Sequence, residues 1–173
     1  YEVIHNSFLI HDDIEDNSAL RRGLPTVHEQ LRAKHKEVGG LIDHKQYGIA
    51  VALNTGSLGP FRALDVIWEI DNRQDRIVKA QKWLRFVIET TLQGQRRDLS
   101  EVPLESLTEK YVYQIYHQKT AIYTVVGPLV LGGILAGASD KQLGHINTFG
   151  VNLGMAFQII DDHLGLFGDE DVL

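Results

Sequence analysis

The sequence predicts an all-α protein, a single-domain helical bundle. Three observations carry this. Apolar residues recur at three- and four-residue spacing along most of the 173 residues. Alternating apolar–polar runs, the mark of half-buried strands, are nearly absent. No repeat of solenoid length and no low-complexity run interrupts the pattern.

The elements follow in order. A first helix runs from the start to about Asp16 and gives way to a loop marked by Asn17, Gly23 and Pro25. Residues 26–45 are polar, hold Gly39 and Gly40, and read as a short helix plus a mobile connection. Helices are expected at about 46–70, 74–98, 104–118, 119–137 and 140–167. The clearest breaks are 71–74 and 100–103, and Ser139 before Asp140 is a helix N-cap candidate. Thr120 to Ser139 is 20 residues without a charge, long enough to cross a bilayer and carrying a GxxxG spacing at Gly133 and Gly137. Pro128 sits inside it, Gly127, Gly132 and Gly133 dilute it, and no other segment resembles it. It reads as a helix buried centrally in a soluble bundle, not as a stable membrane span.

Composition narrows the class. Hydrophobic content of 43% and charged content of 23% are ordinary for a soluble globular chain. A net charge of −6 argues against non-specific nucleic-acid binding. There is no cysteine, hence no disulfide and no thiolate metal site, which fits a reducing, cytoplasmic setting. No targeting segment is visible. The opening YEVIHNSFLI already reads as mid-helix and the closing FGDEDVL as a hanging loop, so N- and C-terminal parts are expected to be missing.

Chemistry concentrates in LIHDDIEDNSALRRG, residues 9–23. On a helix, Asp12 and Asp16 stand one turn apart on one face, with Asp13 about 100° round. Stacked carboxylates repel, and a divalent cation reverses the sign. Mg²⁺ takes one or two carboxylates and fills its remaining positions with water and substrate phosphates. The pair therefore suits metal-bound phosphate better than a closed metal cage. A solvated acidic helix end is the plain alternative, weakened by the apolar residues that precede it. Arg21-Arg22-Gly23 suits an anionic ligand, since guanidinium forks onto phosphate oxygens; alternatively the arginines simply neutralise the acids. A second acid pair, Asp161-Asp162, again follows an apolar helical run, with Gln158 one turn before it. Two such pairs, 149 residues apart, suggest facing helices with metal between them.

A series of motifs in order resembles a known family: DDIED with RRG and PTVH after it, GQRRD at 94–98, Lys119-Thr120, and FQIIDDHLGLFGD at 157–169. Together they resemble the trans-isoprenyl diphosphate synthases, or polyprenyl synthetases, over nearly the whole chain. The resemblance implies one polyprenyl synthetase-like domain over 1–173, an isoprenoid synthase-like bundle around a central cavity, acting as a homodimer. It implies a prenyltransferase that condenses isopentenyl diphosphate with an allylic diphosphate, using Mg²⁺ or alternatively Mn²⁺. Asp12, Asp16 and Asp161 would hold metal, with Asp162 and Asp98 completing the set and Asp13 supporting it. Arg21, Lys119, Thr120, Gln158 and Gln95 would hold the allylic diphosphate, and Arg22 the isopentenyl diphosphate. Phe8 and Ser7, four and five residues before Asp12, would point down the cavity and set product length, C20 favoured over C15.

The match has departures. Gly165 stands where a second DDxxD would end, Ser57 where the family's GD aspartate is expected, and residues 31–46 are longer than the family's connection. The basic terminal segments that bind isopentenyl diphosphate are not in this sequence. These departures keep two alternatives open on the same fold, a terpene cyclase and a non-catalytic regulatory subunit. A histidine–aspartate phosphohydrolase built on His5, His11 and Asp12 would need a further histidine pair. His28, His35, His44, His117, His145 and His163 show no such pairing by spacing.

Overall fold

The computed structural model describes residues 1–71, 73–100 and 102–168. Asn72 and Glu101, within the two expected breaks, and Asp169, at the end of the second acidic motif, lie outside the described residues. The chain forms two compact units, Tyr1–Glu69 and Ile70–Leu173.

The first unit holds α1 (Glu2–Glu15), α2 (Val27–Glu37) and α3 (His44–Trp68). Asp43 starts α3 by accepting the Gln46 N–H at 2.8 Å. Helices α1 and α2 both pack on α3. The α1–α3 contact is close because α3 is bare where α1 crosses it. A Cβ on Gly59 would stand 2.5 Å from the Ser7 Cβ, and one on Gly56 would stand 2.7 Å from the His11 ring. Ser7 is buried there and donates to the Gly56 carbonyl at 2.5 Å. This corrects the expectation that Ser7 faces a cavity.

Between α1 and α2 lies a two-stranded antiparallel hairpin, Leu20–Arg21 with Leu24–Pro25, where the sequence predicted only a loop. Its two turn residues, Arg22 and Gly23, have φ of +54° and +76°. Positive φ at both positions is the tight turn whose twist matches paired strands. Gly23 takes that conformation freely, whereas Arg22 is held in it against its Cβ. Thr26 closes the base, its N–H donating to Ala19 O at 3.0 Å and its hydroxyl to Ser18 O at 2.9 Å.

The fold also brings together two histidines that the sequence left scattered. The Nδ1 atoms of His35 and His44 are 2.8 Å apart, and His35 stacks on Tyr47 with ring centroids 3.9 Å apart. They tie the two ends of the connection at 38–43.

The second unit holds α4 (Gln74–Asp98), a 3₁₀ turn (Leu104–Ser106), α5 (Glu109–Ile115), a π-helical segment (Tyr116–Val126), α6 (Gly127–Ala136) and α7 (Asp140–Phe167). Helices α4 and α7 begin and end where the periodicity places them. Helix α7 starts with the predicted Ser139 cap, extended to a full capping box by Gln142.

The expected helices 104–118 and 119–137 are corrected. They are one continuous helix, Glu109–Ala136, whose middle 11 residues are π-wound. Long π segments are rare, and single π turns cluster at functional sites. This one is gripped on two sides by glycines. A Cβ on Gly94 of α4 would lie 2.5 Å from the Lys119 amide nitrogen, and one on Gly154 of α7 would lie 2.5 Å from Ala121 Cα.

The continuous helix is long and apolar enough to cross a membrane by length and composition. Its Ala121, Ile122, Val126, Val130 and Ile134 are buried and line the same apolar interior as Ile77, Leu84 and Val87 of α4.

Candidate functional site

The first acidic motif is built by the hairpin. Its tight turn sends Arg21 back onto the end of α1. There Nε donates to Asp13 Oδ1 at 2.6 Å and Nη2 to Asp12 Oδ2 at 3.0 Å. Asp13 is buried and Asp12 half-buried. A buried carboxylate is tolerable only with such a partner. Arg21 therefore holds the acids, the neutralising role that the sequence left open beside phosphate binding. Asp16 caps the C-terminus of α1 and is exposed one turn beyond Asp12. Arg22 is exposed at the tip of the turn, and Phe8 is half-buried on α1.

The second motif is built on the π segment and α7. Thr120 donates its hydroxyl to Gln158 Oε1 at 2.6 Å, and Gln158 Nε2 donates to Asp162 Oδ1 at 2.6 Å. Tyr116 donates its hydroxyl to the other Asp162 oxygen, Oδ2. This bond, helped by burial and the nearby negative charge, pushes the Tyr116 hydroxyl up to about 12. Asp162 thus has a donor on each oxygen, while its neighbour Asp161 is exposed. Nearby, Lys119 donates to Asp98 Oδ2 at 2.5 Å. An ammonium has three donors, so two remain for a ligand. Gln95 is half-buried on α4.

Here the Thr120 hydroxyl donates to Gln158, and Gln158 retains its second N–H. Gly165 and Ser57, two of the departures, are structurally undemanding. A Cβ on Gly165 would meet nothing within 4 Å, and Ser57 donates to Leu53 O within its own helix.

The donor set suits Mg²⁺. Asp12 and Asp16 in the first unit and Asp161 in the second each offer hard carboxylate oxygens. Among the described residues, no three His, Asp or Glu side chains converge into a ready cage. An ion that takes one or two carboxylates and completes its shell with phosphate and water needs none.

Sequence reasoning missed Tyr116, which lies 46 residues from Asp162 and in no motif. It also missed the steric roles of Gly94 and Gly154. Gly94 opens GQRRD, so its place in that motif was the available signal.

The sequence model described as polyprenyl synthetase matches residues 1–173. The geranylgeranyl diphosphate synthase of Saccharolobus solfataricus is 34% identical over 99% of this chain and 47% of its own length. That of Sulfolobus acidocaldarius is 32% identical over 99% and 48%. Among solved structures, the Corynebacterium glutamicum geranylgeranyl pyrophosphate synthase, complexed with isoprenyl diphosphate and magnesium, is 32% identical. It superposes with a TM-score of 0.87, covering 99% of this chain and 48% of that one. The chain spans about half the length of the curated relatives it matches.

Proposed function

Because the chain belongs to the polyprenyl synthetase family, we propose that the protein is a prenyltransferase joining isopentenyl diphosphate to an allylic diphosphate, with C20 product favoured over C15. The observation that carries this is a shared arrangement in the two acidic motifs. In each, the second aspartate is tied down (Asp13 by Arg21, Asp162 by Tyr116 and Gln158) and the first is left more open.

The residues divide the work as follows. Asp12, Asp16 and Asp161 are assigned to Mg²⁺, which would neutralise diphosphate charge. The two spare N–H groups of Lys119 and the second N–H of Gln158 donate to the allylic diphosphate, where negative charge grows as the C–O bond breaks. The bonding pair leaves with the diphosphate. The isopentenyl double bond supplies the electrons of the new C–C bond, and the proton then lost passes to the departing diphosphate. Arg22, exposed at the turn, is assigned to the isopentenyl diphosphate. A homodimer and a cytoplasmic setting complete the reading.

The test is incubation with Mg²⁺, labelled isopentenyl diphosphate and C5, C10 or C15 allylic diphosphates, followed by chromatography of the dephosphorylated products. A linear C20 alcohol that disappears with Asp12→Ala supports the proposal. A cyclic hydrocarbon formed without isopentenyl diphosphate, or Mg²⁺-dependent binding without turnover, refutes it.

A further inference from the structure

The geometry points to Tyr116 as a positioning residue for the second acidic motif. Its hydroxyl acts on the diphosphate through Asp162 and touches no ligand itself. This inference rests on the function proposed above.

Three facts carry it. The Asp162 carboxylate has one donor on each oxygen, Tyr116 on Oδ2 and Gln158 on Oδ1, so rotation about its Cβ–Cγ bond is blocked in both senses. Gln158 is itself fixed, because Thr120 donates to its carbonyl oxygen and leaves the amide group facing Asp162. Tyr116 and Thr120 are both π-wound, in the segment held between Gly94 and Gly154. One rigid stretch of backbone therefore sets both arms of the clamp on α7.

The consequence is a division of labour between adjacent acids. Asp162 is restrained on both oxygens, so the more exposed Asp161 is the member of the pair that meets metal-bound phosphate. Without the Tyr116 hydroxyl, Asp162 is held on one side only. It is then free to swing out and compete with Asp161 for the ion. Groups that orient ligands from behind commonly change affinity by 10–100-fold.

The experiment is calorimetric titration of the purified protein with inorganic pyrophosphate in saturating Mg²⁺. Tyr116→Phe, Asp162→Asn and the double variant are compared with wild type, and Tyr113→Phe, on an exposed tyrosine bonded to Glu109, serves as control. Tyr116→Phe is expected to weaken binding by about tenfold, the lower end of that range. Its melting temperature should fall only modestly, and Tyr113→Phe should have no effect. In the Asp162→Asn background the tyrosine change should add little, because the hydroxyl acts through that carboxylate. Wild-type binding with Tyr116→Phe within twofold overturns the inference and leaves the functional proposal standing. An equal loss from Tyr116→Phe in both backgrounds also overturns it, even where the variant is less stable. Wild-type protein that does not bind Mg²⁺-pyrophosphate refutes the functional proposal, and the inference falls with it.

Discussion

Replacing Gly94 by alanine tests how the π segment is held. The new Cβ would stand 2.5 Å from the Lys119 nitrogen, 2.8 Å from the Gln118 carbonyl carbon and 2.9 Å from the Gln118 Cβ. Comfortable separations are about 3.5–4.0 Å, so the overlap is roughly 1 Å. Two of the three atoms are main chain and cannot rotate away, so α4 must withdraw from the segment. Overpacking of this kind costs about 1–3 kcal/mol, and the backbone clash places this site at the upper end. Alanine returns about 1 kcal/mol through helix propensity. The net expectation is a loss of about 2 kcal/mol. Gly132→Ala is the internal reference, since a Cβ there meets nothing within 4 Å. It should gain up to about 1 kcal/mol. Urea unfolding followed by circular dichroism measures both, with unchanged slopes confirming comparable unfolded states. If Gly94→Ala stabilises as Gly132→Ala does, the close approach of α4 is wrong.

Further outcomes follow from other contacts. Phe8→Ala should shift products toward longer chains. Ser7→Ala should leave chain length unchanged and cost about 1 kcal/mol for its lost bond to Gly56 O, and a change in chain length from Ser7→Ala would restore it to the cavity. Ser139→Ala should destabilise by about 1 kcal/mol in the same unfolding assay through loss of the α7 cap. The Tyr116 hydroxyl gives a pH signature in the metal-free protein. Its folded value of about 12 lies above the free value of 10, so its contribution is complete below pH 10 and is lost as pH rises through 12. The melting-temperature gap between wild type and Tyr116→Phe should narrow over that window; a constant gap would show that Asp162 does not hold the hydroxyl.

Much of the fold was legible in the sequence because its signals are local. Helices α4 and α7 carry long uninterrupted periodicity, and Ser139 marks a start. What escaped depends on partners distant in sequence or on local winding. The polar Gln118-Lys119 pair interrupts an apolar run and reads as a helix boundary, whereas π winding, set by packing against α4 and α7, carries the chain straight through it. Ser7 was misplaced for an angular reason. Four residues before Asp12 is about 40° round the helix, five residues is about 140°, and that second direction faces α3. At the candidate site the acids, Lys119 and Gln158 stand in motifs, so they could be named. Which acid is tied and which is open follows from Arg21 turning back through the hairpin and from Tyr116, neither of which spacing alone reveals.

The π segment also bears on which changes of length this chain can absorb. A π turn spans one residue more per hydrogen bond than an α turn. A single deletion among residues 123–126, beyond Lys119 and Thr120, can be taken up by a return to α winding, leaving Val130 and Ile134 facing inward. The same deletion inside α4 would turn everything after it by about 100° and carry buried side chains to the surface. Within the second unit, single-residue deletions should therefore survive at 123–126 and fail in the flanking helices.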